Sequence, residues 1–231
     1  MVTLHFIEPR SPQWDTKRAP LLGSSQASAV TAKPRGKVEA VSRRDLRIHL
    51  ALSRLGGHPR QSTFTTPAMQ HGIDTEGQAR AVYEMTTGLM VETPGYITND
   101  ALPGLGYSPD GCIDEGGGLL EIKCPKDHTQ WQTLSIAEEN KDAQATSPLI
   151  MVPTAYHCQL LHALLVSSDR DWIDFVSYSA AFPESLQLYV SRVHRSEVVE
   201  EVDAYQTAVE TFLAEVDATV AEIQHVVNSH Q

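Results

Sequence analysis

The strongest constraint on the fold comes from one apolar segment, Gly118–Pro125 (GLLEIKCP), which carries a single acid and a single base. Alternate side chains of a β-strand share a face, so a strand here places Glu121 and Lys123 on one side and Leu120 and Ile122 on the other. An acid and a base two residues apart also occur as a surface ion pair at a sheet edge. The segment therefore predicts a strand with a core face, and either a surface pair or a functional site opposite.

A second carboxylate strengthens the interpretation as a site. Ten residues separate Asp110, in the segment Tyr107-Ser108-Pro109-Asp110-Gly111, from Glu121. The Gly-rich connection at 116–118 predicts a hairpin that brings Asp110 beside Glu121. Two crowded carboxylates need a balancing cation, and Mg²⁺ prefers carboxylate, carbonyl and water oxygens. The constellation predicts a divalent-metal site, where metal-activated water can hydrolyse a phosphodiester and Lys123 can orient that water.

Charge is distributed unevenly along the 231 residues, whose net charge is −11. Residues 1–60 contain eleven Lys and Arg and four Asp and Glu, whereas the rest of the chain contains seven and twenty-five. This asymmetry indicates one surface that meets phosphate and another that repels it, although the basic run at 31–60 could also be a solvated helix face. On the first interpretation, the DNA contacts of this run include Lys33, Arg35, Arg43 and Arg44.

Several classes of protein are excluded by what the sequence lacks. The three cysteines have no CxxC spacing, which argues against a zinc ribbon, a disulfide framework or an iron–sulfur cluster. No H-E-x-x-H motif is present, which argues against a zinc protease, and no G-x-x-x-x-G-K-[ST] motif is present, which argues against ATP-driven chemistry. No apolar run approaches the roughly 20 residues that span a bilayer, and no secretory signal is visible, so we expect a cytoplasmic protein without membrane contacts.

Helix and strand signals alternate in an order that is typical of one mixed α/β domain over residues 1–231. Residues 1–30, with several prolines, are predicted to be loosely structured, and 141–148 is predicted to be a loop. The predicted helices run from Ser42, as N-cap, to Leu55, over Pro67–Thr87, over Pro153–Ser168, and from Ser196 onward as a long amphipathic helix. The predicted strands are 91–98, 106–114, 119–124, 172–179 and 186–193.

The two motifs around the carboxylates resemble those of a known family. Ser108–Gly111 (SPDG) followed by Leu120–Pro125 (LEIKCP) resembles the PD-(D/E)xK nucleases, and within them the family of bacteriophage lambda exonuclease and the YqaJ-like viral recombinases. These two motifs together are more specific than the Asp/Glu/Lys triad alone. The resemblance spans roughly Trp14–Val166.

Three further segments are similar to motifs of this family and follow in the same order. They are Gly72-x-x-x-Glu76, Tyr156-x-x-Gln159, and Trp14-x-x-x-Arg18 followed by Ala27-Ser28-Ala29. Two spacings depart from the family pattern: a few extra residues stand between Arg18 and Ala27, and the connection from Asp110 to Glu121 is slightly longer.

The resemblance implies a restriction-endonuclease-like α/β core, a central mixed sheet flanked by helices, and a long C-terminal helix. It implies two Mg²⁺ ions, for which Mn²⁺ can substitute, with Asp110 between them. The other implied ligands and catalytic groups are Glu121, the Ile122 carbonyl and Glu76 as ligands, Lys123 as the group that activates water, and Gln159, which positions water or phosphate.

The resemblance also implies a substrate. Arg18, Ser28 and Ser108 would bind a 5′-phosphate, as part of a DNA-end element within residues 1–30. The implied activity is a 5′→3′ exonuclease that degrades one strand of linear duplex DNA and leaves a 3′ overhang. The implied assembly is a ring-shaped homotrimer of phage or prophage origin that works with a strand-annealing protein. Two alternatives are a RecB-type or repair endonuclease of the same fold, and a non-catalytic DNA-end-binding module.

Overall fold

The computed structural model describes residues 1–34, 36, 38–56, 66–113, 117–143 and 147–230. The predicted DNA contact Arg35 and part of the predicted loop at 141–148 lie outside these residues. In the described part of the chain, no helix is both long and apolar enough to cross a membrane.

Two sheets organise the fold. Three antiparallel strands form the first, in the order β1 (Val2–His5), β2 (Tyr96–Asn99) and β3 (Gly106–Tyr107). The second is mixed, because its two central strands are parallel and its outer pairs antiparallel. Its strands, in spatial order, are β4 (Gly111–Ile113), β5 (Gly118–Lys123), β6 (Trp172–Tyr178) and β7 (Leu188–His194). The predicted mixed sheet, flanking helices and long C-terminal helix are confirmed.

Eight α-helices are described, together with short 3₁₀ turns. They are α1 (Pro12–Arg18), α2 (Ala27–Val30), α3 (Val41–Arg54), α4 (Pro67–Thr87), α5 (Asp127–Asn140), α6 (His157–Val166), α7 (Glu184–Gln187) and α8 (Val199–Ser229). The predicted bounds of α4 are confirmed, because the Thr66 side chain caps its first turn and Gly88, at φ 74°, takes the left-handed position after its last. The predicted cap of α3 is wrong: Ala40 precedes the helix, and Ser42 lies inside its first turn.

The prediction of a loosely structured N-terminus is also wrong. Strand β1 pairs with β2, almost a hundred residues later, and Ser11 caps α1 through its hydroxyl. Helix α5 was not predicted at all. The predicted strand at 91–98 shrinks to β2, which starts only after Pro94 and Gly95. A proline and a glycine interrupt strand pairing, which explains the shorter strand. The pairing of β1 was missed because its partner is distant in the sequence and leaves no local signal.

Strand β5 is buried on both faces. Leu120 and Ile122 pack with Tyr83 of α4 in one core cluster, whereas Leu119 belongs to a second cluster that includes residues of α6 and α8. Glu121 lies on the face of Leu119 and is only 5% exposed. The alternative of a surface ion pair at an open sheet edge is therefore wrong.

Buried polar contacts fix the two helices that carry candidate site residues. The Tyr83 hydroxyl donates to Asp174 of β6 at 2.6 Å and anchors α4. His162 anchors α6, since its ring hydrogen-bonds the Tyr205 hydroxyl of α8 and the Gly106 carbonyl, each at 3.0 Å. Burial lowers the pKa of His162 to about 4, so the ring is neutral near pH 7 and uses one nitrogen as donor and the other as acceptor.

Candidate active site

Asp110 lies at the entrance to β4 and is fastened to β5 by two hydrogen bonds. Its backbone N–H donates to the Leu120 carbonyl at 3.2 Å, and its Oδ2 accepts from the Ile122 N–H at 2.6 Å. The hairpin predicted from the sequence thus brings Asp110 beside Glu121, as expected. The turn residues 114–116 lie outside the described part of the chain.

Glu121 receives a different donor on each carboxylate oxygen. The Lys123 ammonium lies 2.6 Å from Oε1, and the Tyr107 hydroxyl donates to Oε2 at 3.1 Å. The Tyr156 ring lies 5.5 Å from Lys123 Nζ, close enough for a cation–π contact. The predicted convergence of Asp110, Glu121 and Lys123 is therefore present. Tyr107, which was not predicted as part of the site, joins it as a donor to Glu121.

The charges of this group are not balanced. Burial and the neighbouring Glu121 raise the pKa of Asp110 above its ordinary value, although Lys123 and the Ile122 N–H oppose the shift. Burial alone would lower the pKa of Lys123, but Glu121 and Asp110 raise it above its ordinary value. Two carboxylates therefore face one ammonium in a poorly hydrated place, an arrangement that favours one more positive charge.

Glu76 approaches the pair from α4, held by two arginines. Arg80, one turn along the helix, donates to Glu76 Oε1 at 2.8 Å and to the Asp110 carbonyl at 3.2 Å. Arg10 reaches Glu76 Oε2 at 3.4 Å from the N-terminal segment, where its φ of 64° lies in the left-handed region that costs a non-glycine residue roughly 1–2 kcal/mol. Neither arginine was predicted as part of the site, although Arg80 stands at the i+4 position of Glu76, where helical side chains meet.

Among the described residues, no three Asp, Glu, His or Cys side chains form a ready-made metal-binding group. Glu76 is occupied by its arginines and Glu121 by Lys123. The chemistry of the donors nevertheless fits a hard divalent cation, because Asp110, Glu121, Glu76 and Ile122 all line one continuous cleft and offer oxygen atoms. The unbalanced carboxylates are the observation that supports this fit.

The cleft is also lined by an arginine that stacks on an aromatic ring. The Arg18 guanidinium stacks on the Trp14 ring at 3.7 Å, and the Trp14 indole N–H donates to the Gly95 carbonyl at 2.8 Å. Burial lowers the pKa of Arg18. No carboxylate in the described part of the chain forms an ion pair with Arg18. A half-buried, positioned guanidinium of this kind is suited to phosphate.

The serine predicted to accompany Arg18 is not the one that the structure brings to the cleft. Ser28 is exposed on α2 and does not line the cleft. Ser24 and Ser25, in the 3₁₀ turn before α2, line it together with Arg18. The assignment of Ser28 is therefore wrong in geometry, because the chain between Arg18 and Ala27 turns back toward Arg18 and presents the earlier serines.

Two of the predicted residues have polar atoms that lack a partner. Ser108 Oγ and Gln159 Oε1 are buried, and neither finds a hydrogen-bond partner among the described residues. Both residues line the cleft beside Asp110 and Lys123. Unsatisfied buried polar atoms cost stability, so their retention on the wall of a cleft is typical of groups that bind something absent from the free protein.

The predicted basic DNA surface is only partly available. Arg43 forms a two-pronged ion pair with Glu215 of α8, at 2.5 and 3.0 Å, and a further pair with Glu39 at 2.9 Å, so its assignment as a DNA contact is wrong in geometry. The basic run of α3 instead holds the acidic α8. Lys33 and Arg44 are exposed but do not line the cleft, and Arg44 pairs with Asp45.

The family model of the YqaJ-like viral recombinase domain matches residues 13–170. The chain belongs to this family. The matched range contains every lining residue of the cleft except Glu8, Pro9 and Arg10, which come before it. The YqaJ-like resemblance inferred from the sequence is thus confirmed. A comparison with curated proteins finds no match.

Solved structures with a similar fold include two of LHK-Exo. The alkaline exonuclease LHK-Exo from Laribacter hongkongensis is 27% identical, with a TM-score of 0.75, and the match covers 96% of this chain and 100% of that one. A structure of LHK-Exo in complex with dAMP matches over the same shares, with 27% identity and a TM-score of 0.76. A phage-related exonuclease from Haemophilus somnus 129PT, at 16% identity and a TM-score of 0.57, covers 88% of this chain and 96% of its own and shares the fold.

Proposed function

We propose that this YqaJ-like protein is a metal-dependent 5′→3′ exonuclease that degrades one strand of linear duplex DNA and leaves a 3′ overhang. The observation that carries the proposal is the convergence of Asp110, Glu121 and Lys123 in a cleft that Arg18 also lines. The similarity to LHK-Exo, an alkaline exonuclease, supports the same activity.

The metal and the lysine have separate roles in this proposal. Asp110, Glu121 and the Ile122 carbonyl would hold Mg²⁺, with Glu76 serving a second ion and Mn²⁺ able to substitute. Such ions supply Lewis acidity and an activated water at neutral pH. Since its carboxylate neighbours raise the pKa of Lys123, we infer that it acts as an ammonium ion that orients water and stabilises charge on the phosphate. The Gln159 Oε1, which needs a donor, would accept a hydrogen bond from a positioned water.

The proposed direction of digestion rests on Arg18, which lines the same cleft as the carboxylates. Arg18, with the hydroxyls of Ser25 and Ser108, would hold a terminal 5′-phosphate while the carboxylates act on the phosphodiester that follows it. Guanidinium and hydroxyl groups together bind phosphate through charge-assisted hydrogen bonds. That LHK-Exo binds dAMP agrees with a cleft that accepts a nucleotide with its phosphate.

The family resemblance extends the proposal to partners. We propose a homotrimeric ring around the DNA, a strand-annealing protein that receives the 3′ overhang, and a phage or prophage origin with activity in the bacterial cytoplasm. The basic residues of α3 give this ring no support as a DNA-contacting surface, because Arg43 forms an ion pair with Glu215. A light-scattering mass of one protomer, at 25.4 kDa, would contradict the ring.

The first test is digestion of linear duplex DNA with each strand end-labelled in turn, beside a covalently closed circle. With Mg²⁺ we expect nucleotides to be released from 5′ ends, much faster when the end carries a phosphate than when it carries a hydroxyl, together with an intact circle and no release in EDTA. A cut circle would assign the protein to the repair endonucleases of this fold. Tight end binding without cleavage in any metal would assign it to the non-catalytic end-binding modules.

The role of Arg18 predicts a selective defect. We expect Arg18→Ala to lower kcat/KM on 5′-phosphorylated ends by roughly 10- to 100-fold, the value of one or two charge-assisted hydrogen bonds. Activity on 5′-hydroxyl ends should change little, so the preference for phosphate disappears. Arg44→Ala, which removes an exposed arginine outside the cleft, is the matched control and should keep the preference. An equal loss on both kinds of end would show that Arg18 does not recognise the phosphate.

A further inference from the structure

Tyr107 lies directly behind the proposed metal-binding carboxylate and is absent from the motifs that define the site. It ends β3, in the three-stranded sheet, whereas Glu121 lies on β5 of the four-stranded sheet. Its side chain is fully buried. The hydroxyl is 3.1 Å from Glu121 Oε2 and 3.5 Å from the Leu120 carbonyl, so its one good acceptor is the carboxylate.

The tyrosine is a rigid and permanent donor. Its backbone is fixed by pairing with Ile97 of β2, and its ring has no room to move in the core. A tyrosine hydroxyl has an ordinary pKa of about 10, so it keeps its proton near pH 7. A buried hydroxyl also needs a partner, which ties Tyr107 to Glu121.

The two donors to Glu121 differ in a way that matters for a cation. Lys123 stands at the end of a flexible side chain that is 22% exposed on the cleft, so it can exchange its partner. Tyr107 approaches from the core and is neutral, so it does not compete with a cation for the charge of the carboxylate. Holding Oε2 from behind fixes the plane of the carboxylate and leaves Oε1 turned toward Lys123 and the cleft.

We propose that Tyr107 is a positioning residue for the reaction: its hydroxyl orients the Glu121 carboxylate so that it receives the divalent cation without first reorganising. This inference rests on the proposed function. Partners that orient metal ligands from behind typically contribute 10- to 100-fold to metal affinity or activity. Tyr107 provides this contact from a strand of a different sheet.

Tyr107→Phe tests the inference, because it removes one oxygen atom and preserves the ring that fills the core. Titration calorimetry of the DNA-free protein with Mn²⁺ should show roughly 10- to 100-fold weaker binding than wild type. In digestion assays at saturating metal, kcat should fall while KM for DNA ends stays within about twofold, since the tyrosine does not face the DNA. The matched control is Tyr189→Phe. It removes the hydroxyl of a half-buried tyrosine outside the cleft, which donates to the Met151 carbonyl at 2.8 Å. It should keep wild-type values.

A second background separates positioning from stability. In Glu121→Gln, which already lacks the carboxylate, adding Tyr107→Phe should weaken Mn²⁺ binding no further. Equal losses with and without Glu121, or Mn²⁺ affinity in Tyr107→Phe equal to that of wild type, would overturn the inference. Failure of the wild-type protein itself to bind metal and cleave DNA would overturn the proposed function, and the inference with it.

Discussion

Replacing Lys123 by methionine is expected to reduce DNA cleavage by about 10³-fold, within the range of 10²–10⁴ that a positioned proton-transfer or charge-stabilising group contributes. Methionine keeps most of the length and volume of the side chain but removes the ammonium that lies 2.6 Å from Glu121. The loss should appear in kcat, because the ammonium acts on the water and the phosphate during the reaction. Single-turnover digestion of a 5′-phosphorylated duplex measures it directly.

The same variant separates catalysis from DNA binding. In EDTA, binding of duplex ends by Lys123→Met should stay within a few-fold of wild type, because Arg18, which would bind the terminal phosphate, is untouched. Lys141→Met removes an exposed lysine that forms an ion pair with Glu138 and serves as the matched control, with full activity expected. Cleavage by Lys123→Met within about tenfold of wild type would contradict the assigned role.

The parts of the site that were predicted correctly depend on local sequence. Asp110 and Glu121 are joined by a short connection, and the pairing of Gly111 with Leu120 brings them together. The bounds of α4 follow from Thr66 and Gly88, whose chemistry caps a helix wherever it lies. Glu76 is thereby carried to the site by a helix whose limits the sequence defines.

The parts that were missed depend on contacts between distant segments. Arg43 looked like a DNA contact because its neighbours are basic, but its partner Glu215 stands 172 residues later on α8. The contact between Tyr107 and Glu121 was missed for a similar reason. The alternation of side chains along a strand does not reveal which residue of another sheet will contact them. Ser24 and Ser25 line the cleft and Ser28 does not, because the path of the chain after Arg18 decides which residues reach it.

Asp110→Asn is expected to abolish cleavage, by more than about 10³-fold, and to stabilise the metal-free protein. Burial and Glu121 raise the pKa of Asp110, so the folded state holds this proton more tightly than the unfolded state does. The stability of the wild type without metal should therefore fall as pH rises from the ordinary carboxyl pKa through the raised one. Asparagine removes this dependence, and its amide oxygen can still accept from the Ile122 N–H.

Urea unfolding in EDTA and in Mg²⁺, at pH 6 and pH 8, tests this prediction together with the metal. In EDTA at pH 8 the free energy of unfolding should be higher for Asp110→Asn than for wild type, and the difference should shrink at pH 6. Mg²⁺ should stabilise the wild type, since a ligand that binds only the folded state adds RT ln(1 + [L]/Kd), and should hardly affect the variant. Asp203→Asn, at an exposed position of α8, controls for the loss of one negative charge. If Asp110→Asn is instead the less stable protein in EDTA, the carboxylate contributes to a structural ion pair, and the unbalanced charge at Asp110 no longer supports a cation site.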